Sequence, residues 1–223
     1  MRAALRYFTI FPVGGGGEDD PKEAARYLPL VGLVLGALLY LLALLFFRLW
    51  PGGVAAGLLL FFWLVFTGFL HLDGLLDLAD ALFYPGSQKR RLEILADARV
   101  GSFAFGVGAS HLLLKWAALA SVGGGAWLVV APLWARTLPL FAAFFLPQGG
   151  ETGGRFAKGA RLWPGALGLL GALLFPLPAF FALLLAAIIY LAAWRGLGRV
   201  SGDVHGAAIE LAELGFLLGL SLN

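Results

Sequence analysis

Asp73, Asp77 and Asp80 stand at positions i, i+4 and i+7, and at ~100° per residue a helix holds all three within an arc of roughly 60°. Carboxylates so close repel one another, and at membrane depth each is costly unless a cation neutralises it. A divalent ion is the simplest such cation. The chain has no cysteine and only three histidines, so oxygen ligation favours Mg²⁺ or Mn²⁺ over zinc. The other face of the segment is apolar (Leu72, Leu75, Leu76, Leu78, Ala79), and no Lys or Arg interleaves the acids as on a solvated face. His71 projects away from the acids and reads as a hydrogen-bonded core or interface histidine.

A second acidic group follows near the C-terminus, in Ser201-Gly202-Asp203-Val204-His205-Gly206 and then Glu210 and Glu213. Asp203, Gly206, Glu210 and Glu213 share one helical face within roughly 80°. Asp203 also suits a helix N-cap, which leaves Glu210 and Glu213 unexplained inside an apolar run. Lys115 and Arg136 lie within apolar runs of their own, where a charge faces a bundle interior or a substrate cavity. Either they pair with acids or, with Arg99, Arg155 and Lys158, they hold an anionic substrate, arginine as a bidentate phosphate ligand and lysine as a point charge. Acids and cations converging from several segments form the pattern of a metal-assisted phosphoryl-transfer site.

The elements that position these residues follow from composition. Of 223 residues, 61% are hydrophobic and 13% charged, against roughly 45–50% and about 25% in soluble domains, and the mean hydropathy is +0.89. A soluble globular protein, a disulfide scaffold, an iron–sulfur protein, a cysteine-ligated zinc domain and a disordered tail are all excluded. The net charge of +3 is too small to imply nucleic acid. The expected fold is an all-α, polytopic integral membrane helix bundle of about six to seven segments, a single domain over 1–223. Uncharged runs at 28–47 and 49–72 read as a hairpin, followed by spans at 103–121 and 127–146 and a last segment at 206–220. The uncharged stretch 162–194 contains Pro176 and Pro178 and reads as a hairpin or re-entrant pair broken there, or as one kinked helix. The tract Gly14–Gly17 reads as a flexible loop without the Gly-Lys-Ser/Thr ending of a P-loop. No apolar signal segment follows Arg2. Loops 84–102, 147–163 and 195–205 carry most of the Lys and Arg, whereas the turns 51–53 and 123–125 carry none. The positive-inside rule therefore places those loops and the N-terminus in the cytoplasm.

Three ordered motifs carry a resemblance: His71-Leu-Asp73-Gly-Leu-Leu-Asp77-Leu-Ala-Asp80, then Asp97-Ala-Arg99-Val-Gly101-Ser-Phe, then Ser201-Gly-Asp203-Val-His205-Gly-Ala-Ala-Ile-Glu210-Leu-Ala-Glu213. Together they resemble the cobalamin synthase family, the adenosylcobinamide-GDP ribazoletransferases or cobalamin 5′-phosphate synthases, over nearly the whole chain. The resemblance implies a Mg²⁺-dependent transferase in the inner membrane of a prokaryote, with its site facing the cytoplasm. There α-ribazole or its 5′-phosphate attacks the corrinoid-linked phosphorus of adenosylcobinamide-GDP and expels GMP. It implies metal ligation drawn from Asp73, Asp77, Asp80, Asp97, Asp203 and Glu210, with Asp80 or Asp77 as catalytic base. Arg99, Lys115, Arg136, Arg155, Lys158 and Glu213 then form the substrate-binding set. The cytoplasmic loops offer a docking surface for other corrinoid enzymes, and nothing in the residues sets the oligomeric state. A CDP-alcohol phosphotransferase is the second reading, weakened because Gly74 is followed by Leu75-Leu76-Asp77 rather than by the Ala-Arg that pattern needs. An ion-coupled transporter is the third, and it lacks inverted repeats.

Overall fold

The computed structural model describes residues 1–14 and 20–222, so the glycine loop expected at 14–17 lies, beyond Gly14, outside the described residues. Among the described residues the structure is helical apart from an isolated bridge between Gln148 and Val200. Two short helices, α1 (Arg2–Phe8) and α2 (Pro21–Ala25), precede α3 (Leu28–Leu49), α4 (Gly52–Phe66) and α5 (Leu70–Phe83). Then come α6 (Gln88–Leu95), α7 (Ser102–Val122), α8 (Trp127–Phe145), α9 (Gly150–Gly159), α10 (Gly165–Leu174), α11 (Pro176–Leu197) and α12 (Gly202–Leu220). Four of them, α3, α7, α8 and α11, are long and apolar enough to cross a membrane, and the bent pair α4–α5 makes a fifth. This is a multi-pass helix bundle, as the uncharged runs of the sequence require.

The run expected to lead straight from 49–72 into the aspartates is instead broken. Between α4 and α5 the chain bends by 88°. Hydrogen bonds from Phe69 N to Leu64 O and from Gly68 N to Val65 O close α4, with Gly68 at φ 58°, the pattern of a Schellman stop. Phe69 follows at φ 60°, a conformation a bulky residue adopts only under constraint. The aspartates thus sit on a helix that leaves the line of α4 and packs side by side with α7 and α12.

Within 162–194 the break falls at Phe175, and both prolines lie in the first turn of α11, where a missing N–H costs nothing. With ten residues, α10 reaches ~15 Å, half the hydrocarbon thickness. It runs antiparallel to α8, with Gly168 against Thr137 and Gly171 against Val130 and Leu133. The stretch is therefore a hairpin with one short arm.

Helix α12 is the axis of the molecule. Nearly all of its side chains are buried, and it packs against α5, α7, α8, α9 and α11. The charged loops gather at one end: Gln88 Nε2 donates to Leu197 O at 2.6 Å, Gly149 N to Val200 O at 2.9 Å, and Arg155 pairs with Asp20 at 3.2 Å. The uncharged turns lie at the other end, where Trp116 Nε1 donates to Gly53 O and Gly124 packs on Ala43 and Phe47.

Candidate active site

Two glycines set the site. A Cβ on Gly74 of α5 would lie 2.7 Å from the carbonyl oxygen of Asp203, and one on Gly206 of α12 would lie 3.3 Å from the His71 backbone. Only residues without side chains let two helix backbones approach so closely. The crossing brings Asp203 to the α5 aspartates: Asp77 is within electrostatic reach of Asp73, Asp203 and Asp80. Asp73 is exposed, whereas Asp77, Asp80 and Asp203 are half-buried.

The four carboxylates are not equivalent. Asp80 accepts from Gly101 N at 2.6 Å and from Ala104 N at 2.9 Å, so both its oxygens satisfy N–H groups that the first turn of α7 leaves without helical partners. Ser201 Oγ, itself the N-cap of α12, donates to Asp203 at 3.2 Å. The side chains of Asp73 and Asp77 make no hydrogen bond or ion pair among the described residues. Among those residues no three Asp, Glu or His side chains converge as a ready-made ligand set. The donor chemistry nevertheless suits a hard cation that keeps several waters and takes one or two carboxylates plus substrate phosphate.

Asp97 and Arg99 face each other. Arg99 Nε and Nη2 donate to the Asp97 carboxylate at 2.9 and 2.5 Å, and this guanidinium pulls the Asp97 carboxyl down to about 2. The pair sits in the loop before α7, and its arginine is largely exposed. Arg155 bridges Asp20 at 3.2 Å and Glu151 at 3.7 Å, joining α9 to the start of α2. Lys158 is exposed on the same helix.

The deeper ions form a separate group. Lys115 Nζ donates to Glu210 Oε2 and Glu213 Oε2, each at 2.6 Å, and Arg136 Nη1 donates to Glu213 Oε1. His111 Nε2 lies 2.9 Å from Glu210 Oε2, and Lys115 sits 4.7 Å from the centre of the Trp63 ring. All are buried. Of the two readings open for Lys115 and Arg136, pairing with acids is the one realised, and the charges cancel. Glu210 and Glu213 lie roughly 10 and 15 Å along α12 from Asp203, so they brace α7, α8 and α12 below the aspartates. His111 and Trp63 escape sequence reasoning, because a lone histidine or tryptophan in an apolar run gives no signal.

Beside Asp73 and Asp203 lies a cavity of about 150 Å³, walled by Phe8, His71, Phe156 and Ile209 among others. His71 is 2% exposed, and among the described residues its Nε2 has no hydrogen-bond partner, contrary to the expectation of a hydrogen-bonded core histidine. An unsatisfied buried group of this kind costs about 1–3 kcal/mol. His205, on the same wall, is satisfied at both nitrogens, 3.0 Å from Tyr190 OH and 3.0 Å from Gln148 Oε1.

Comparison with known proteins converges on one family. Residues 1–221 match the model of the family described as cobalamin-5-phosphate synthase. A protein of Stutzerimonas stutzeri named adenosylcobinamide-GDP ribazoletransferase is 40% identical, covering 99% of this chain and 96% of its own length. Proteins with the same name from Thermosynechococcus vestitus and Deinococcus radiodurans are 37% and 38% identical, covering 99% and 96% of this chain and 95% and 82% of their own lengths. No solved structure matches the chain.

Proposed function

The chain belongs to the cobalamin-5-phosphate synthase family, and from that premise we propose that it transfers the corrinoid phosphate of adenosylcobinamide-GDP to α-ribazole or its 5′-phosphate. A ribose hydroxyl attacks the corrinoid-linked phosphorus, a new P–O bond forms, the bond to GMP breaks, and a cobalamin or its phosphate leaves. The observation that carries this reading is the glycine-mediated crossing of α5 and α12, which gathers carboxylates without internal cation partners at the charged end of a membrane bundle.

Asp73, Asp77 and Asp203 are the residues proposed to hold Mg²⁺, or Mn²⁺ in its place, which when bound offsets charge on the pyrophosphate and on the departing GMP. Asp77, with no internal hydrogen bond, is placed to accept the proton of the attacking hydroxyl. Asp80 holds the start of α7 against α5 and so fixes the loop of Asp97 and Arg99 beside the site. Arg99, Arg155 and Lys158 offer phosphate-binding cations from the loop face. We assign this face to the cytoplasm of a prokaryotic inner membrane, on the bias of Lys and Arg toward its loops.

The test is a single-turnover assay of the protein in nanodiscs with adenosylcobinamide-GDP and α-ribazole, with and without Mg²⁺ or Mn²⁺. GMP release matched by a cobalamin product, only with the divalent ion, is expected. A well-folded protein that releases no GMP with any divalent ion overturns the proposal.

A further inference from the structure

The uncharged stretch 162–194 is too short for two full spans, and the shortfall falls on α10. Its ten residues lie against the first half of α8, with Gly168 at Thr137 and Gly171 at Val130 and Leu133. The second half of α8 and the facing half of α11 are left without a helix between them. There an apolar groove of about 550 Å³ runs from Trp134 to Leu146 on α8 and from Leu183 to Trp194 on α11. Leu183 and Trp194 are roughly 16 Å apart along their helix, which is one leaflet of the ~30 Å hydrocarbon core. Polar atoms of two wall residues are engaged inside the protein. Trp134 Nε1 donates to Ala179 O at 3.0 Å and closes the floor, and Tyr190 OH lies 3.0 Å from His205 Nδ1.

The mouth of the groove, at the charged end, is basic. Arg199, in the turn after α11, packs its Cδ on Gly149, in the turn after α8, so it spans the two helices that flank the groove. Arg195 stands one turn beyond the groove residue Leu191 and is exposed. Neither guanidinium makes a hydrogen bond or ion pair among the described residues. At membrane depth an apolar groove is covered by lipid or by another helix. A helix of a second copy crosses the whole bilayer and would run into α10 in the other half of the seam. A lipid chain ends at mid-depth, where Trp134 and Leu169 close the groove. The two free guanidinium groups set the headgroup as an anion. The geometry points to one occupant: an acyl chain of an anionic glycerophospholipid from the leaflet at the charged end, its phosphate held by Arg199 and Arg195. This site is independent of the proposed transfer.

The experiment is native mass spectrometry of the delipidated protein in detergent, titrated with phosphatidylglycerol or with phosphatidylcholine of the same chains. One phosphatidylglycerol, held about tenfold more tightly than phosphatidylcholine, is expected, as one charge-assisted hydrogen bond supplies. Arg195→Gln with Arg199→Gln should bring the anionic lipid to the level of the neutral one. Lys89→Gln with Arg90→Gln removes the same charge from exposed positions of α6 and should leave the preference standing. Ala187→Trp fills the groove from an exposed position and should weaken both lipids at least about tenfold, and the smaller Ala187→Leu should weaken them less. Equal retention of the two lipids by the wild type, or a preference that survives loss of both arginines, overturns the site. So does a preference lost as readily with Lys89 and Arg90, or retention indifferent to both substitutions of Ala187. A lipid-free dimer that Ala187→Trp dissociates gives the groove to a second copy and overturns it as well.

Discussion

Asp77 and Asp80 are three residues apart on one helix, and the structure separates their roles. Asp77→Asn removes a charge and a proton acceptor but no structural contact. Transfer should fall by about 10²–10⁴ while thermal unfolding in detergent stays at the wild-type temperature. Single-turnover GMP release within threefold of wild type would remove Asp77 from the chemistry. Asp80→Ala should act on stability, because it strips two N–H groups at the start of α7 of their acceptor. About 1 kcal/mol is the usual cost of a lost cap, and Asp80→Asn, whose amide oxygen still accepts, should cost less, as read from the two unfolding temperatures. The shared face of the three aspartates is legible from spacing alone. The occupation of Asp80 is not, since its partners lie 21 and 24 residues further on and no local pattern announces them. The Asp97–Arg99 pair is legible as two charges in one loop. The Arg99 guanidinium holds the Asp97 carboxyl at about 2, below the ordinary ~3.9. The stabilisation from this pair is therefore present above the ordinary carboxylate range and lost as pH falls through about 2. It should leave activity flat across neutral pH, and Arg99→Ala should raise the titration midpoint of the Asp97 carboxyl toward the ordinary range but short of it, because the backbone N–H of residue 99 still donates to the carboxylate.

Among the elements, α5 and α12 carry the site, and their crossing distance is the sensitive quantity. A Cβ at Gly74 would meet the Asp203 carbonyl at 2.7 Å, too close for any real contact, whereas one at Gly206 would meet the His71 backbone at 3.3 Å. Gly74→Ala should therefore push the helices apart at a cost of about 1–3 kcal/mol and depress transfer. Gly206→Ala should be milder in both respects, and equal effects in unfolding and turnover assays would contradict the geometry. Gly74 follows a motif aspartate directly and Gly206 follows one by three residues, but nothing in the sequence says that the two face each other. That knowledge needs the 88° bend ahead of α5, which an apolar run on both sides conceals and only Gly68 hints at. The positions of the long helices are readable because a bilayer demands uncharged runs of a fixed length. Deeper in the bundle, the sequence leaves Lys115 and Arg136 with either acids or substrate for partners, and the distances to Glu210 and Glu213 decide for acids. Lys115→Met leaves the Glu210 carboxylate with a histidine partner and Glu213 with an arginine alone, so a loss of about 3–5 kcal/mol is expected. Lys115→Met combined with Glu210→Gln should recover part of it, because the uncompensated charge is then gone.

For the whole molecule, orientation is the claim on which substrate access depends. The three charged loops meet at one end through Gln88 with Leu197 and Gly149 with Val200, and the two glycine turns lie at the other. The positive-inside rule then applies to a single end rather than to scattered loops, and on the orientation proposed above that end and its carboxylates are expected in the cytoplasm. The chain contains no cysteine, so single substitutions report sidedness without background. Lys89→Cys, Glu151→Cys and Arg195→Cys all fall at exposed positions of the charged end, and Gly52→Cys and Ala126→Cys at exposed positions of the other. In intact cells a membrane-impermeant thiol reagent should label the last two and spare the first three, with the pattern reversed in inside-out vesicles. Labelling of the first three from outside would invert the molecule and put the carboxylates where cytoplasmic nucleotide substrates do not reach them. A mixed pattern within the charged end would break the shared end itself, and with it the packing of α9 and α12 that closes the cavity beside Asp203.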